Sequence, residues 1–130
     1  MAPASVAMLR NVPLFSGLDD GELAQIAETM RERRFPEGAT VVREGASAFA
    51  FFVIEEGEAE ATRDGEPRGR LGPGDFFGEI ALIAYSPRTA TIVAATDLVC
   101  HSMAAWDLTP ILEANPAIAG KLETAMAERA

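Results

Sequence analysis

Three zones of different periodicity follow one another along the chain. In the first, Leu23, Ile26, Ala27 and Met30 recur at the spacing that places them on one face of a helix. Asp19, with Glu22 three residues on, has the form of a capping box. Arg31, Arg33 and Arg34 stand where the carbonyl end of a helix favours cations, and Pro36 and Gly38 close the pattern. A helical lead-in over residues 9–34 is the expectation.

The second zone, about residues 35–103, loses the helical period. Short apolar runs at Thr40–Val42, Phe49–Ile54, Ala59–Thr62, Thr89–Ala94 and Leu98–Met103 are separated by turn residues: Glu44-Gly45, Glu56-Gly57, Asp64-Gly65, Gly72-Pro73-Gly74 and Ser86-Pro87. Asp64-Gly65 is the clearest hairpin signal, because a type I′ turn needs positive φ at both central residues. Evenly spaced short strands of this kind form an antiparallel sandwich or barrel.

The third zone, about residues 104–130, returns to helix. Pro110 and Pro116 each suit the first turn of a helix, where the missing N–H costs nothing. Ile111, Leu112, Ile118, Leu122 and Met126 supply apolar contacts, and Trp106 is expected to pack these helices onto the strands. Helix, strands, helix in that order predict an α+β fold: an antiparallel, jelly-roll-like β-roll flanked by N- and C-terminal helices. Residues 1–130 are read as one domain, without internal repeats.

Charge and composition narrow the function. The net charge of -9 disfavours a surface for nucleic acid or anionic membrane, both of which call for clustered Lys and Arg. A single cysteine, Cys100, allows no internal disulfide and suits a reducing compartment. The apolar runs are too short to span a bilayer, and Met1–Arg10 lacks the pattern of a signal peptide. The expected localisation is the cytoplasm. A β-roll metalloenzyme needs several histidines with a carboxylate, and this chain has only His101. The same scarcity disfavours a catalytic triad. Cys100 and His101, adjacent in a strand, are expected on opposite faces. No metal, no cofactor and no catalytic residue are expected.

The most informative stretch runs from Gly72 to Thr91. Gly72-Pro73-Gly74-Asp75 is a tight turn, and Gly78 lets another group approach the backbone. Glu79–Ile83 is a short helical candidate whose first amides are free to bind an anion. Arg88 enters an apolar strand and needs a partner; its planar fork suits a phosphate. Glu79, being negative, suits a sugar hydroxyl instead. An anion site, a guanidinium and a carboxylate together describe a sugar phosphate.

At this stretch the sequence resembles a known family. Phe77-Gly78-Glu79-Ile80-Ala81-Leu82, followed by Pro87-Arg88-Thr89-Ala90-Thr91, is similar to the phosphate-binding cassette of cyclic nucleotide-binding domains. The spacing from Glu79 to Arg88 matches as well. Pro13–Leu18, Phe35–Gly38, Arg43–Gly45 and Phe52–Ile54 with Gly57 resemble the family's lead-in, first strands and central hairpin.

The resemblance implies roles. Glu79 would accept from the ribose 2′-hydroxyl, and Arg88 would donate to the exocyclic phosphate oxygens. The amides of Ala81 and Thr89 would add donors, Gly78 would admit the ribose, and Ile80 belongs to the same cassette. Ala61 and Leu71 are candidates for the apolar wall around the base; Phe76 and Phe77 are read as core. The ligand would be cAMP in preference to cGMP, although Thr89 is compatible with either. The turn Ala46-Ser47-Ala48 departs from the family pattern. So does the absence of an aromatic residue after Trp106, which leaves a lid over the base to Leu122, Met126 or a partner subunit. The implied function is that of a regulatory sensor without an output domain of its own, which either acts on an effector protein in trans, or is a fragment of a longer chain, or buffers nucleotide. The rival reading is a β-roll that keeps the fold, binds no nucleotide and serves as a protein-interaction module.

Overall fold

The computed structural model describes residues 6–43, 45, 50–77 and 90–129, of residues 105 and 125–129 the backbone alone. The chain opens with α1 (Val6–Arg10), a 3₁₀ turn (Pro13–Phe15) and α2 (Asp20–Thr29). Eight described strands follow: β1 (Met30–Phe35), β2 (Thr40–Val42), β3 (Ala50–Glu56), β4 (Ala59–Arg63), β5 (Glu66–Leu71), β6 (Phe76–Phe77), β7 (Thr91–Ala94) and β8 (Leu98–Ala104). Two helices, α3 (Ala105–Ala114) and α4 (Pro116–Arg129), complete it. The strands form two four-stranded sheets, β1-β8-β3-β6 and β2-β7-β4-β5, antiparallel throughout. The observed fold is the expected α+β arrangement, an antiparallel β-roll with flanking helices.

The alternation of side chains along β3 explains the layering. Phe51 and Val53 point to one face, where they join Met30, Met103, Leu9, Leu14, Phe15, Leu23, Ile26, Leu108, Ile118 and Leu122 in a core between helices and sheet. Phe52 and Ile54 point to the other face and meet Phe77, Leu98, Cys100, Ala59, Ile92 and Ala94 between the two sheets. The central strands β3 and β8 of the first sheet are thus buried on both sides over most of their length, which is why Phe51–Ile54 and Leu98–Cys100 read as uninterrupted apolar runs. Phe76 and Phe77 divide in the same way. Phe76 lies against Phe51 at 5.8 Å between ring centroids, and Phe77 stacks on Phe52 at 5.0 Å.

Local chemistry fixes the joints. Asp19 caps α2 as expected: its Oδ1 accepts from the Glu22 amide at 2.8 Å, and the Glu22 carboxylate accepts from the Asp19 amide at 3.1 Å. The β4–β5 hairpin turns at Asp64 and Gly65, whose φ angles of 53° and 80° are those of a type I′ turn. Gly57, which carries the chain from the first sheet to the second, has φ 88°, and a Cβ there would stand 2.2 Å from the Asp97 carbonyl oxygen.

Three expectations are corrected. The lead-in is not helical to residue 34: α2 ends at Thr29, and Met30–Phe35 is a strand pairing with β8 through six consecutive residues. Strand pairing and the complete burial of Met30 outweigh the helical appearance of the sequence. The arginines lie on an edge strand, where charge discourages pairing with another chain. Pro110 does not begin a helix but lies within α3, which starts at Ala105. The hydrogen bond that proline removes is offset by the burial of Leu108 and the packing of Ile111 and Leu112 on the same core. Trp106 does not clamp the helices to the roll; it is 72% exposed.

Candidate functional site

The expected site residues Gly78, Glu79, Ile80, Ala81, Arg88 and Thr89 lie outside the described residues. The structure does define what delivers and receives that segment. Its upstream anchor is the Gly72–Asp75 turn. Gly74 has φ 88° and the Asp75 amide donates to the Gly72 carbonyl at 3.0 Å, a type II turn with proline and glycine at its central positions. The Asp75 carboxylate accepts from the Gly72 amide at 2.8 Å and tightens it. The turn is stitched to β3 in both directions: Gly74 donates to the Ile54 carbonyl, and the Ile54 amide donates to Asp75, each at 2.9 Å. β6 then pairs with β3, Phe77 opposite Phe52 and Phe76 opposite Val53.

The downstream anchor is β7, held between β2 and β4 in the other sheet. The described strands on either side of residues 78–89 therefore belong to different sheets, each held by strand pairing and buried apolar side chains: Phe77 in β6, Ile92 and Ala94 in β7.

Ala61 and Leu71, the two candidates for the base wall, are both described. Ala61 on β4 stands between Gly69 of β5 and Ile92 of β7, and Leu71 pairs with Ala59. Both are half-buried and pack against the core between the sheets. The wall is made of small residues (Ala59, Ala61, Gly69), and a Cβ at Gly69 would meet nothing within 4 Å. Leu122, one candidate for a lid, is wholly buried in the helix–sheet core and is not available for that role in this arrangement. The Met126 side chain lies outside the described residues.

The ionisable groups of the frame are structural in character. His101 is 2% exposed, its Nε2 2.6 Å from Glu55 Oε1, while Nδ1 has no partner among the described residues. Nothing in the local sequence pairs Glu55 with His101; the β3–β8 register, which sets Val53 opposite His101, does. Cys100 points the other way, into the core between the sheets, and burial pushes its thiol pKa up to about 12, which removes its nucleophilicity. The Arg34 guanidinium, 2.9 Å from Glu32, lowers the Glu32 carboxyl pKa through that hydrogen bond. Among the described residues, no three His, Cys, Asp or Glu side chains gather into a possible metal site.

The described residues form a helix-flanked antiparallel roll in which β6 and β7, the strands on either side of residues 78–89, belong to different sheets. Within it, the family model for the cyclic nucleotide-binding domain matches residues 32–115, and the chain belongs to that family. It is 46% identical over 94 residues to a cAMP-dependent protein kinase regulatory subunit of Aspergillus fumigatus, covering 71% of this chain and 23% of the relative. It is 37% identical over 118 residues to a cyclic nucleotide-gated potassium channel of Rhizobium etli, covering 91% of this chain and 33% of the channel. The chain thus spans a quarter to a third of the length of these curated relatives, which are regulatory subunits and channels. Among solved structures, cAMP-bound PfPKA-R superposes with a TM-score of 0.90 at 25% identity, covering 95% of this chain and 43% of the other. The Thermus thermophilus catabolite activator protein gives 0.80 at 28% identity, covering 90% and 57%. No helix among the described residues is long and apolar enough to cross a membrane.

Proposed function

We propose that this domain binds a cyclic nucleotide, cAMP in preference to cGMP, and regulates an effector by doing so, without catalysis of its own. The observation that carries the proposal is the residue pattern Phe77–Leu82 followed by Pro87–Thr91, which lies within the family match. The regulatory-subunit relatives support cAMP over cGMP.

In this reading Arg88 donates two parallel hydrogen bonds to the exocyclic phosphate oxygens, supported by the amides of Ala81 and Thr89. Glu79 accepts from the ribose 2′-hydroxyl. Gly78 lets the ribose approach the backbone, Ile80 holds the cassette in place, and Ala61 and Leu71 wall the base. The phosphate draws Arg88 and its segment inward, and the flanking helices re-dock. The ligand shifts that equilibrium by its differential affinity for the two arrangements. The effector is a protein in trans or a domain joined to this one, and the domain works in the cytoplasm.

Calorimetric titration of the nucleotide-stripped protein with cAMP and then cGMP is the test. Saturable binding at micromolar concentration or below, tighter for cAMP, is expected. Arg88→Ala should weaken it by about a hundredfold, about 3 kcal/mol, because the phosphate loses its charged partner. A folded protein that binds neither nucleotide would overturn the proposal in favour of a protein-interaction module.

A further inference from the structure

The side-chain hydrogen bonds spanning the greatest sequence separation among the described residues come from Lys121 on α4. Its ammonium donates to the Pro13 carbonyl at 3.2 Å, the Ser16 carbonyl at 3.1 Å and the Ser16 hydroxyl at 2.7 Å. Its three protons thus have three acceptors at the carbonyl end of the 3₁₀ turn, the Pro13 carbonyl also accepting from the Ser16 amide at 3.1 Å. Ile118 and Leu122, on either side of Lys121 in sequence, are buried in the same core as Leu14 and Phe15. Electrostatic and apolar contacts thus fix α4 to this turn together.

The 3₁₀ turn also abuts the anchor of the ligand-binding segment. Phe76, which follows the Gly72–Asp75 turn, packs against the core that holds Leu14 and Phe15, and Gly74 leaves only the room of a Cβ between its backbone and Asn11 and Pro13. A path of contacts therefore runs from Lys121 to Pro13 and Ser16, through the core shared by Leu14, Phe15 and Phe76, to β6 and the Gly72–Asp75 turn that precedes it.

We infer that Lys121 is a positioning residue for the nucleotide site. By tying α4 to the 3₁₀ turn it holds Asn11–Ser16 against the Gly72–Asp75 turn, so that docking of α4 and occupancy of the site stabilise each other. The inference rests on the cyclic-nucleotide reading above. Coupling of this kind is reciprocal: whatever α4 adds to nucleotide affinity, the nucleotide returns to α4 docking.

The full chain carrying Lys121→Met tests it, with amide hydrogen exchange and cAMP titration as readouts. Expected are faster exchange in Pro13–Phe15, in α4 and in the Gly72–Asp75 turn of the ligand-free variant, and cAMP affinity weakened about fivefold. Saturating cAMP should slow exchange across α4 in the parent and much less in the variant. Lys121→Arg, which keeps the charge and the donors, should bind within twofold of the parent. Ser16→Ala, which removes one of the three acceptors, should show a smaller loss and serves if Lys121→Met does not fold. Faster exchange in α4 with no change at Gly72–Asp75 and unchanged affinity would overturn the inference and leave Lys121 as a clamp of the helices alone. A parent chain that binds neither cAMP nor cGMP would overturn the functional reading. The ligand-free exchange at Gly72–Asp75 would still decide whether the mechanical path exists.

Discussion

The two sheets of the roll have four strands each and differ in how many faces they bury. In β1-β8-β3-β6, the central strands β3 and β8 are covered on both faces, and their Phe51, Val53, Ile54, Cys100 and Met103 are 0% exposed. In β2-β7-β4-β5 only the inner face is covered: β7 alternates between buried and half-buried positions, and β5 is exposed along nearly its whole length. The first sheet is a stiff middle layer, shared by two cores. The second is a lid on one of them, lined with small residues. The described strands that flank the proposed ligand-binding residues, β6 and β7, lie one in each sheet.

The sharpest way to break this comparison is to truncate one core-facing apolar side chain in each sheet. Phe51→Ala empties a site closed by helices on one side and by neighbouring strands on both flanks, and it also removes the packing with Phe76. It should cost about 3–5 kcal/mol of stability in a urea titration. Val41→Ala, on the inner face of β2 but only half-buried, should cost about 1 kcal/mol. Equal losses would mean that the second sheet is as integral to the core as the first.

Cys100 sharpens the comparison at a single buried group. The thiol, in the core between the sheets, is held protonated by burial, its pKa pushed from 9.0 to about 12. The unfolded chain releases this proton near pH 9, while the native chain keeps it until about pH 12. The thiol therefore leaves stability intact below pH 9 and lowers it progressively between pH 9 and about 12. The urea midpoint of the parent should fall over that range relative to Cys100→Ala, and thiol reagents at about pH 8, below the free-thiol range, should label Cys100 only in urea. Rapid labelling of the native protein would show that the second sheet opens readily and that the core beneath it is less closed than the burial of Cys100 implies.

The same contrast explains which features can be read from the residues and which cannot. Strands whose side chains are covered announce themselves: β3 and β8 are apolar runs, and β2 matches its expected span of Thr40–Val42. Hairpin chemistry is local, so Asp64-Gly65 is legible, and so is the Asp19 capping box. Edge strands hide. β5 reads Glu-Pro-Arg-Gly-Arg-Leu, and only its pairing with β4 makes it a strand. β1 carries three arginines and follows a helical repeat without a break, so its distant partner β8 decides its structure. Of the site, the cassette residues are legible as a motif and Ala61 and Leu71 as members of a wall. The stitching of Gly74 and Asp75 to Ile54, the Glu55–His101 pair and the Lys121 contacts all depend on tertiary neighbours, which no local pattern encodes.

The smallest expected effect bears on the outer surface of the second sheet. Arg70 on β5 reaches Glu58 at 3.1 Å and Glu60 at 3.4 Å, and all three side chains are about half exposed. Such pairs gain little, because water screens the attraction and fixing long side chains costs entropy. Arg70→Ala should therefore change stability by less than about 0.5 kcal/mol, in contrast to the losses within the first sheet. The substitution also leaves the inner wall untouched, since Arg70 lies between the inward-facing positions Gly69 and Leu71, so cAMP affinity should stay within twofold of the parent. A loss above about 1 kcal/mol by urea titration would mean that β5 depends on its surface charges for pairing, and that charge as much as backbone hydrogen bonding holds the second sheet's edge.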